Sequence, residues 1–146
     1  ISRWDGIRWD VVGGIGNNLY GEICSLAVDN NGRIYVGGQF YADANFHNIV
    51  WWNSGSWSYM EISNPNHKVN ALVTDNAGTL FAGGEILNAD NNYFVAKKEA
   101  SGWVDYGKLN GNGIVYALCM ASDGTLYAGG MFTGGQYSHY VAMLKP

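Results

Sequence analysis

The side chains that could bind a ligand in this 146-residue chain recur at one position of a repeat. His47, Tyr93 and His139 follow one another at intervals of 46 residues, each just before a short apolar stretch. Polar aromatic groups repeated at one rim of a fold could line equivalent ligand pockets, as in lectins built from repeats. The alternative is that all three are loop residues packing at the mouth of each repeat.

Tryptophan supplies a second kind of candidate site. Trp51 and Trp52 could stack on a sugar ring, because an indole offers apolar area together with a polar edge. Trp9, Trp57 and Trp103 recur at the start of equivalent stretches, and this regularity predicts that they are core residues.

Acidic residues give a faint indication of a calcium site. Asp29 and Asp75 are followed by Asn and Gly, but each stretch is too short for an EF-hand loop, and Ala121 stands at that place in the third copy. Asp43 and Asp90 are one place out of register with each other. Turn formation explains the first two better, so we predict no metal site.

Catalytic signatures are missing from the sequence. It contains no Gly-x-Ser-x-Gly elbow, no His-Glu-x-x-His motif and no phosphate-binding loop. A converging pair of carboxylates could still cleave a glycosidic bond, although nothing singles out a pair. Cys24 and Cys119 fall at different repeat positions, which predicts two buried, unpaired thiols. We therefore expect a protein that is not an enzyme and needs no cofactor.

Composition excludes further classes. The net charge is −4 and the eight Lys and Arg residues are scattered, so a nucleic-acid partner is not expected. No apolar run approaches the roughly 20 residues of a membrane-spanning helix, so we expect no membrane insertion. A chain that starts at Ile1 and stops at Pro146 is typical of a mature or excised piece.

The elements that position these residues are copies of one unit. The stretches Gly32–Phe40, Gly78–Ile86 and Gly124–Phe132 are nearly the same sequence at a fixed step of 46 residues, which indicates stacked copies of one supersecondary structure. Each copy begins with strand A, apolar at both parities and therefore predicted to be covered on both faces. The three A strands are Ile23–Asp29, Val69–Asp75 and Val115–Ala121.

An Asp/Asn-Gly turn leads from strand A to strand B, which carries two adjacent glycines in every copy. Strand glycines mark a bulge or a neighbouring backbone pressed close, and their recurrence predicts close packing between sheets. The pairs are Gly37 and Gly38, Gly83 and Gly84, and Gly129 and Gly130.

Strand C follows a variable loop, and strand D opens with the recurring tryptophan. Four antiparallel strands repeated about every 46 residues describe an all-β fold of β-propeller blades, with almost no helix. The domain is expected to span residues 1–146. Residues 1–22 form a partial blade of strands C and D, 23–68 and 69–114 form two full repeats, and 115–146 form a third repeat lacking its last strand.

The number of copies predicts incomplete blades at both ends. Three blades should not close into a ring, because propellers have about 4–8 blades. We therefore expect a homo-oligomer in which two chains form a six-bladed ring, a head-to-tail assembly by strand complementation, or part of a longer array.

The segment Val69–Gly84, together with Asn48 and Trp52–Trp57, resembles a repeat common in secreted and cell-surface bacterial β-propellers, distantly similar to NHL and kelch propellers. The second and third copies depart from that pattern at strand C, where Lys97 and Lys98, or Met143 and Leu144, replace the tryptophans. The resemblance implies an extracellular or cell-surface binding module of unassigned ligand. The recurring His/Tyr position and the aromatic residues favour a glycan or protein ligand, whereas the incomplete terminal blades favour a structural subunit of an extracellular filament or surface assembly. The resemblance carries no catalytic residue set.

Overall fold

The fold consists of antiparallel β-sheets. The computed structural model describes residues 1–13, 20–42, 45–62, 67–87, 94–109, 113–132 and 140–145. Thirteen strands and no helix lie within these ranges, which confirms the all-β prediction. Tyr93, His139, Asp43 and Asp90 fall outside the described residues.

The strands form four sheets, each a simple antiparallel meander in chain order. The hairpin sheet consists of β1 (Ser2–Trp4) and β2 (Trp9–Val11). The first sheet consists of β3 (Tyr20–Val28), β4 (Ile34–Ala42), β5 (Asn45–Asn53) and β6 (Ser56–Met60). The second sheet consists of β7 (Val69–Thr74), β8 (Leu80–Gly84), β9 (Phe94–Glu99) and β10 (Gly102–Lys108). The third sheet consists of β11 (Ile114–Met120), β12 (Leu126–Met131) and β13 (Val141–Leu144). The predicted order of strands A to D is therefore the order in which they pair.

The turn between the first two strands of each sheet has the predicted chemistry. Gly32, Gly78 and Gly124 have φ angles of 74°, 82° and 85°, a region that disfavours residues with a Cβ. Asp75 Oδ1 accepts hydrogen bonds from the backbone N–H groups of Ala77 and Thr79. Asp29 Oδ1 accepts the equivalent pair from Asn31 and Arg33. These carboxylates are therefore turn-forming groups.

The three full-length A strands lie side by side, and the sheets stack face to face around them. One apolar core lies between the first and second sheets and includes Tyr35, Ile49 and Leu72. Another lies between the second and third sheets and includes Phe81, Val115 and Leu126. A third cluster, around Val36, Phe40 and Val50, is covered by Ile1 of the hairpin sheet. The second sheet is thus covered on both faces.

The two glycines of each pair make different contacts. A Cβ on Gly37 would lie 2.8 Å from Val69 Cγ1 in the second sheet, and one on Gly83 would lie 2.5 Å from Val115 Cγ1 in the third. These first glycines give the close packing between sheets that the sequence predicts. The second glycines instead face the backbone of the paired strand in their own sheet, so the prediction is wrong for Gly38, Gly84 and Gly130.

The register of the paired strands explains the second glycines. Each A–B pair contains an irregularity opposite the glycine pair, between Ile23 and Ser25, between Val69 and Ala71, and between Val115 and Ala117. A bulge brings the backbone of the bulged strand toward its partner, and a residue without a Cβ accommodates it.

Three burial predictions are wrong. Strand A is covered on both faces in β7 only, because no described sheet lies beyond β3 or beyond β11. Cys119 is exposed and Cys24 half-buried, although both thiols are free as predicted. Trp9 is 68% exposed because it belongs to a two-stranded sheet, whereas Trp57 and Trp103 pack against the cores.

Candidate functional site

Of the three residues at the predicted ligand-binding position, the structure describes His47. It lies within β5, opposite Phe40 of β4. Its ring is buried, with Nδ1 2.5 Å from Glu61 Oε1 and its face stacked on Tyr59 at 3.9 Å between centroids. Nε2 is buried and has no hydrogen-bond partner among the residues that the structure describes. The ring is thus fixed beneath an aromatic side chain, and the binding role of this position stays a prediction.

The adjacent Asn48 has a structural role. Its side chain is fully buried, its Nδ2 donates to Ile62 O at 3.0 Å, and its Oδ1 accepts from Ile62 N at 3.1 Å. The Asn48 amide thus bonds to the backbone of Ile62 as a paired strand would, and it links the segment after β6 to β5. A polar residue inside the sheet stack is satisfied in this way.

The two candidate sugar-stacking tryptophans point in different directions. Trp51 lies toward the second sheet, 6.5 Å from the Tyr35 ring, and the Arg33 guanidinium lies 5.5 Å from its centroid. Trp52 lies on the opposite face, 5.2 Å from Trp57. Successive residues of a strand face opposite sides of the sheet. The two rings therefore do not form one stacking platform, and each is half-buried against another aromatic ring.

A cleft of about 360 Å³ opens between the first and second sheets near Trp51. Its lining includes Arg33, Tyr35, Lys98 and Glu99. The Tyr35 hydroxyl donates to Asp29 Oδ2 at 3.2 Å, and burial raises the pKa of this phenol. Lys98 Nζ donates to the backbone oxygen of Glu99. The Tyr35 hydroxyl and the Lys98 ammonium are thus already engaged in hydrogen bonds. Sequence reasoning missed this cleft, because Arg33 and Lys98 come from different repeats.

Both ends of the sheet stack expose apolar side chains. The first, which we name the leading face, is the uncovered side of β3 and consists of Ile23, Leu26 and Val28, exposed by 46%, 53% and 56%. These residues come before the second sheet's Val69, Leu72 and Thr74 by one repeat of 46 residues. Val69 and Leu72 are buried against the first sheet.

The second end, the trailing face, is the uncovered side of the third sheet. Strand register places its residues in two rows, one containing Ala117 and Gly129, the other containing Cys119, Tyr127 and Met143. Tyr127 is 41% exposed and Met143 55% exposed. The first sheet has two equivalent rows. Its first row contains Ser25 and Gly37, and its second row contains Ala27, Tyr35 and Trp51. That first-sheet surface is covered by the second sheet.

Other classes of site find no support among the residues that the structure describes. No group of three or more His, Cys, Asp or Glu side chains in those ranges is arranged to hold a metal ion. Within them, no helix has the length and apolar character needed to cross a bilayer.

Comparison with known proteins adds no functional assignment. No protein-family model matches the chain, and no curated protein matches it at a significant level.

Proposed function

We propose that this chain is a non-enzymatic β-propeller module that acts through binding or assembly, with its incomplete blades completed by another polypeptide segment. The observation that carries the proposal is the match between exposed and buried surfaces. The leading and trailing faces have the apolar character and the repeat positions of surfaces that are buried at both internal junctions.

The stacking geometry supports a propeller. The first and second sheets are four-stranded antiparallel meanders, and the third has three described strands in the same order. The first strands of successive sheets, β3, β7 and β11, are neighbours. In a propeller the first strand of each blade lies nearest the central axis and the blades pack face to face. The hairpin sheet fits this arrangement as strands C and D of a preceding blade, because Ile1 and Gly13 approach the first sheet's Val36 cluster and Trp52.

Exposed apolar area provides the driving force for binding. Transfer of a Val, Leu or Ile side chain from water to a packed interface contributes about 1.5–3 kcal/mol when complete. Exposed apolar patches of this kind, on sheets with open edges, mark sites of interaction with other chains. We place this binding at the cell surface or outside the cell, on the resemblance of the repeat to secreted bacterial propellers.

A glycan-binding role has less support. Trp51 and Trp52 lie on opposite faces of β5, and the His47 ring is stacked under Tyr59. No single surface of the described residues therefore combines these three side chains.

Extension of the chain tests the proposal. A second copy of residues 99–144 placed directly after Leu144 continues the repeat in phase, because residue 145 holds the position of residue 99 one period of 46 earlier. The added unit should cover the trailing face of the original third sheet. The original Cys119 should therefore lose its reactivity toward iodoacetamide, and the midpoint of urea denaturation should rise.

The matched control is the same extension with Leu118→Asp in the added copy only. That residue would lie on Gly129, as Leu118 lies near Gly83 in the native junction. Equal Cys119 reactivity in the original, extended and control proteins would contradict the proposal.

A further inference from the structure

We propose that the partner is a second copy of this chain, and that Gly129 in the trailing face of one copy receives Ile23 and Leu26 from the leading face of the next. This inference rests on the proposed assembly function and adds the identity of the partner and the residues that meet.

The internal junctions define what the trailing face accepts. A Cβ on Gly37 would lie 2.8 Å from Val69 and 3.0 Å from Leu72, so the missing side chain makes room for these two residues of the next sheet. At the following junction, a Cβ on Gly83 would lie 2.5 Å from Val115 and 3.5 Å from Leu118. Each junction is thus a glycine that receives a branched aliphatic residue and a leucine three positions later.

The trailing face has the equivalent glycine, Gly129, but no described residue of another sheet packs against it. Among the described atoms, those nearest to a Cβ on Gly129 are Tyr140 O at 3.9 Å and Ala117 Cβ at 4.0 Å, both within the third sheet. Tyr127 and Met143 lie beside the glycine and are about half exposed.

The matching pair of side chains is exposed at the other end of the same chain. Ile23 and Leu26 stand at the positions of Val69 and Leu72, again a branched aliphatic residue and a leucine three positions later. Both lie on β3 and are about half exposed. A chain whose two ends complement each other makes a heterologous, head-to-tail contact, which gives a ring if the rotation closes and a filament if it does not.

The hairpin sheet determines which strands meet. Ile1, at the start of the hairpin, already packs against β4 and β5 of the first sheet and leaves β3 exposed. The strands that fit over β3 are therefore β11 and β12 of the docking copy.

Two single substitutions block one face each and leave the isolated fold intact. Gly129→Val fills the space beside Gly129, where an added Cβ makes only ordinary contacts, at 3.9 and 4.0 Å, with the described atoms. Leu26→Asp places a charge on the leading face at a side chain that is already 53% exposed. Ser56→Asp adds the same charge at the exposed β5–β6 turn, away from both faces, and serves as the control.

Sedimentation velocity over a wide range of protein concentrations measures the outcome, with far-UV circular dichroism and thermal melting to verify folding. We expect the original chain and Ser56→Asp to reach twice the monomer mass or more, and each face variant alone to remain monomeric. An equimolar mixture of Gly129→Val and Leu26→Asp should form one-to-one dimers and nothing larger, because one intact face of each kind is left.

Three results would overturn the inference: a monomeric original chain at every concentration, a folded face variant that assembles like the original, or a mixture that stays monomeric. A monomeric original chain whose extended form protects Cys119 would refute the second copy as partner and leave the proposed function standing.

Discussion

The sharpest test of the sheet packing compares one substitution at two equivalent glycines. Gly83→Ala and Gly129→Ala make the same chemical change at the same repeat position. At Gly83 the new methyl group would lie 2.5 Å from Val115 Cγ1 and 2.9 Å from Val115 Cβ. At Gly129 the nearest described atom is 3.9 Å away. The pair therefore isolates the contact between sheets from the backbone effect of replacing glycine.

The expected magnitudes follow from these distances. Replacing a strand glycine with alanine removes freedom from the unfolded chain and stabilises by about 0.4–1 kcal/mol where the site is open. Overpacking a core costs about 1–3 kcal/mol. Val115 relieves the overlap poorly because a β-branched side chain is restricted at χ1. We expect Gly83→Ala to lower the free energy of unfolding by about 1–2 kcal/mol and Gly129→Ala to raise it by about 0.5 kcal/mol.

Urea denaturation followed by tryptophan fluorescence measures both values, at a protein concentration low enough to keep the chain monomeric. The gap of about 2 kcal/mol corresponds to about 4–8 °C in Tm for a chain of this size. Equal losses of stability at the two positions would refute the argument, because the third sheet would then be covered as the second is.

Three further predictions concern other sites. Gly84→Val should prevent stable folding, because the added side chain meets the backbone of its own paired strand at Lys68 and Asn70; a melting curve like that of the original chain would refute it. In dilute protein at about pH 8, iodoacetamide should modify Cys119 before Cys24, since burial raises the pKa of the Cys24 thiol and lowers its thiolate fraction. Mass spectrometry of the labelled peptides gives the order, and equal rates would contradict it. The Lys68 ammonium, 2.7 Å from Glu22 Oε2, lowers the pKa of Glu22, so Lys68→Met should raise that pKa toward 4.5 in an NMR titration. The small stabilisation from this exposed pair is present above the unfolded pKa of Glu22 and is lost as pH falls through the lowered folded value, and an unchanged Glu22 titration would contradict the pairing.

The repeat made much of the fold predictable. Apolar parity identified strand A, and the Asp-Gly turns placed the strand ends, because turn chemistry is local and depends on few residues. The strand order followed, since short turns force neighbouring strands to pair.

What a residue packs against was less predictable. Gly83 and Gly84 are adjacent in the sequence, yet one faces the next sheet and the other faces its own. The bulge that separates their roles lies on the partner strand, so no pattern within strand B reveals it. Cys119 looked like a core residue because its strand is apolar, but its exposure depends on whether another sheet is present.

The sequence pointed to the leading and trailing faces only through the incomplete blades at the two ends of the chain. The unpaired ends indicated missing neighbours, whereas the residues that form the two faces could be named only once the register was known. The binding role predicted for His47, Tyr93, His139, Trp51 and Trp52 depended on their sharing one rim. The structure describes three of them and places Trp51 and Trp52 on opposite sides of β5.

Each junction glycine is separated from the aliphatic residue that it meets by the same number of positions, and this regularity has a consequence for how the genes of such chains can change in length. Gly37 meets Val69, and Gly83 meets Val115, each 32 positions downstream. Unequal recombination between copies therefore adds or removes a whole number of units and leaves every glycine opposite a suitable aliphatic residue. A family descended from such an ancestor could vary in length by steps of 46 codons without having to evolve a new interior each time.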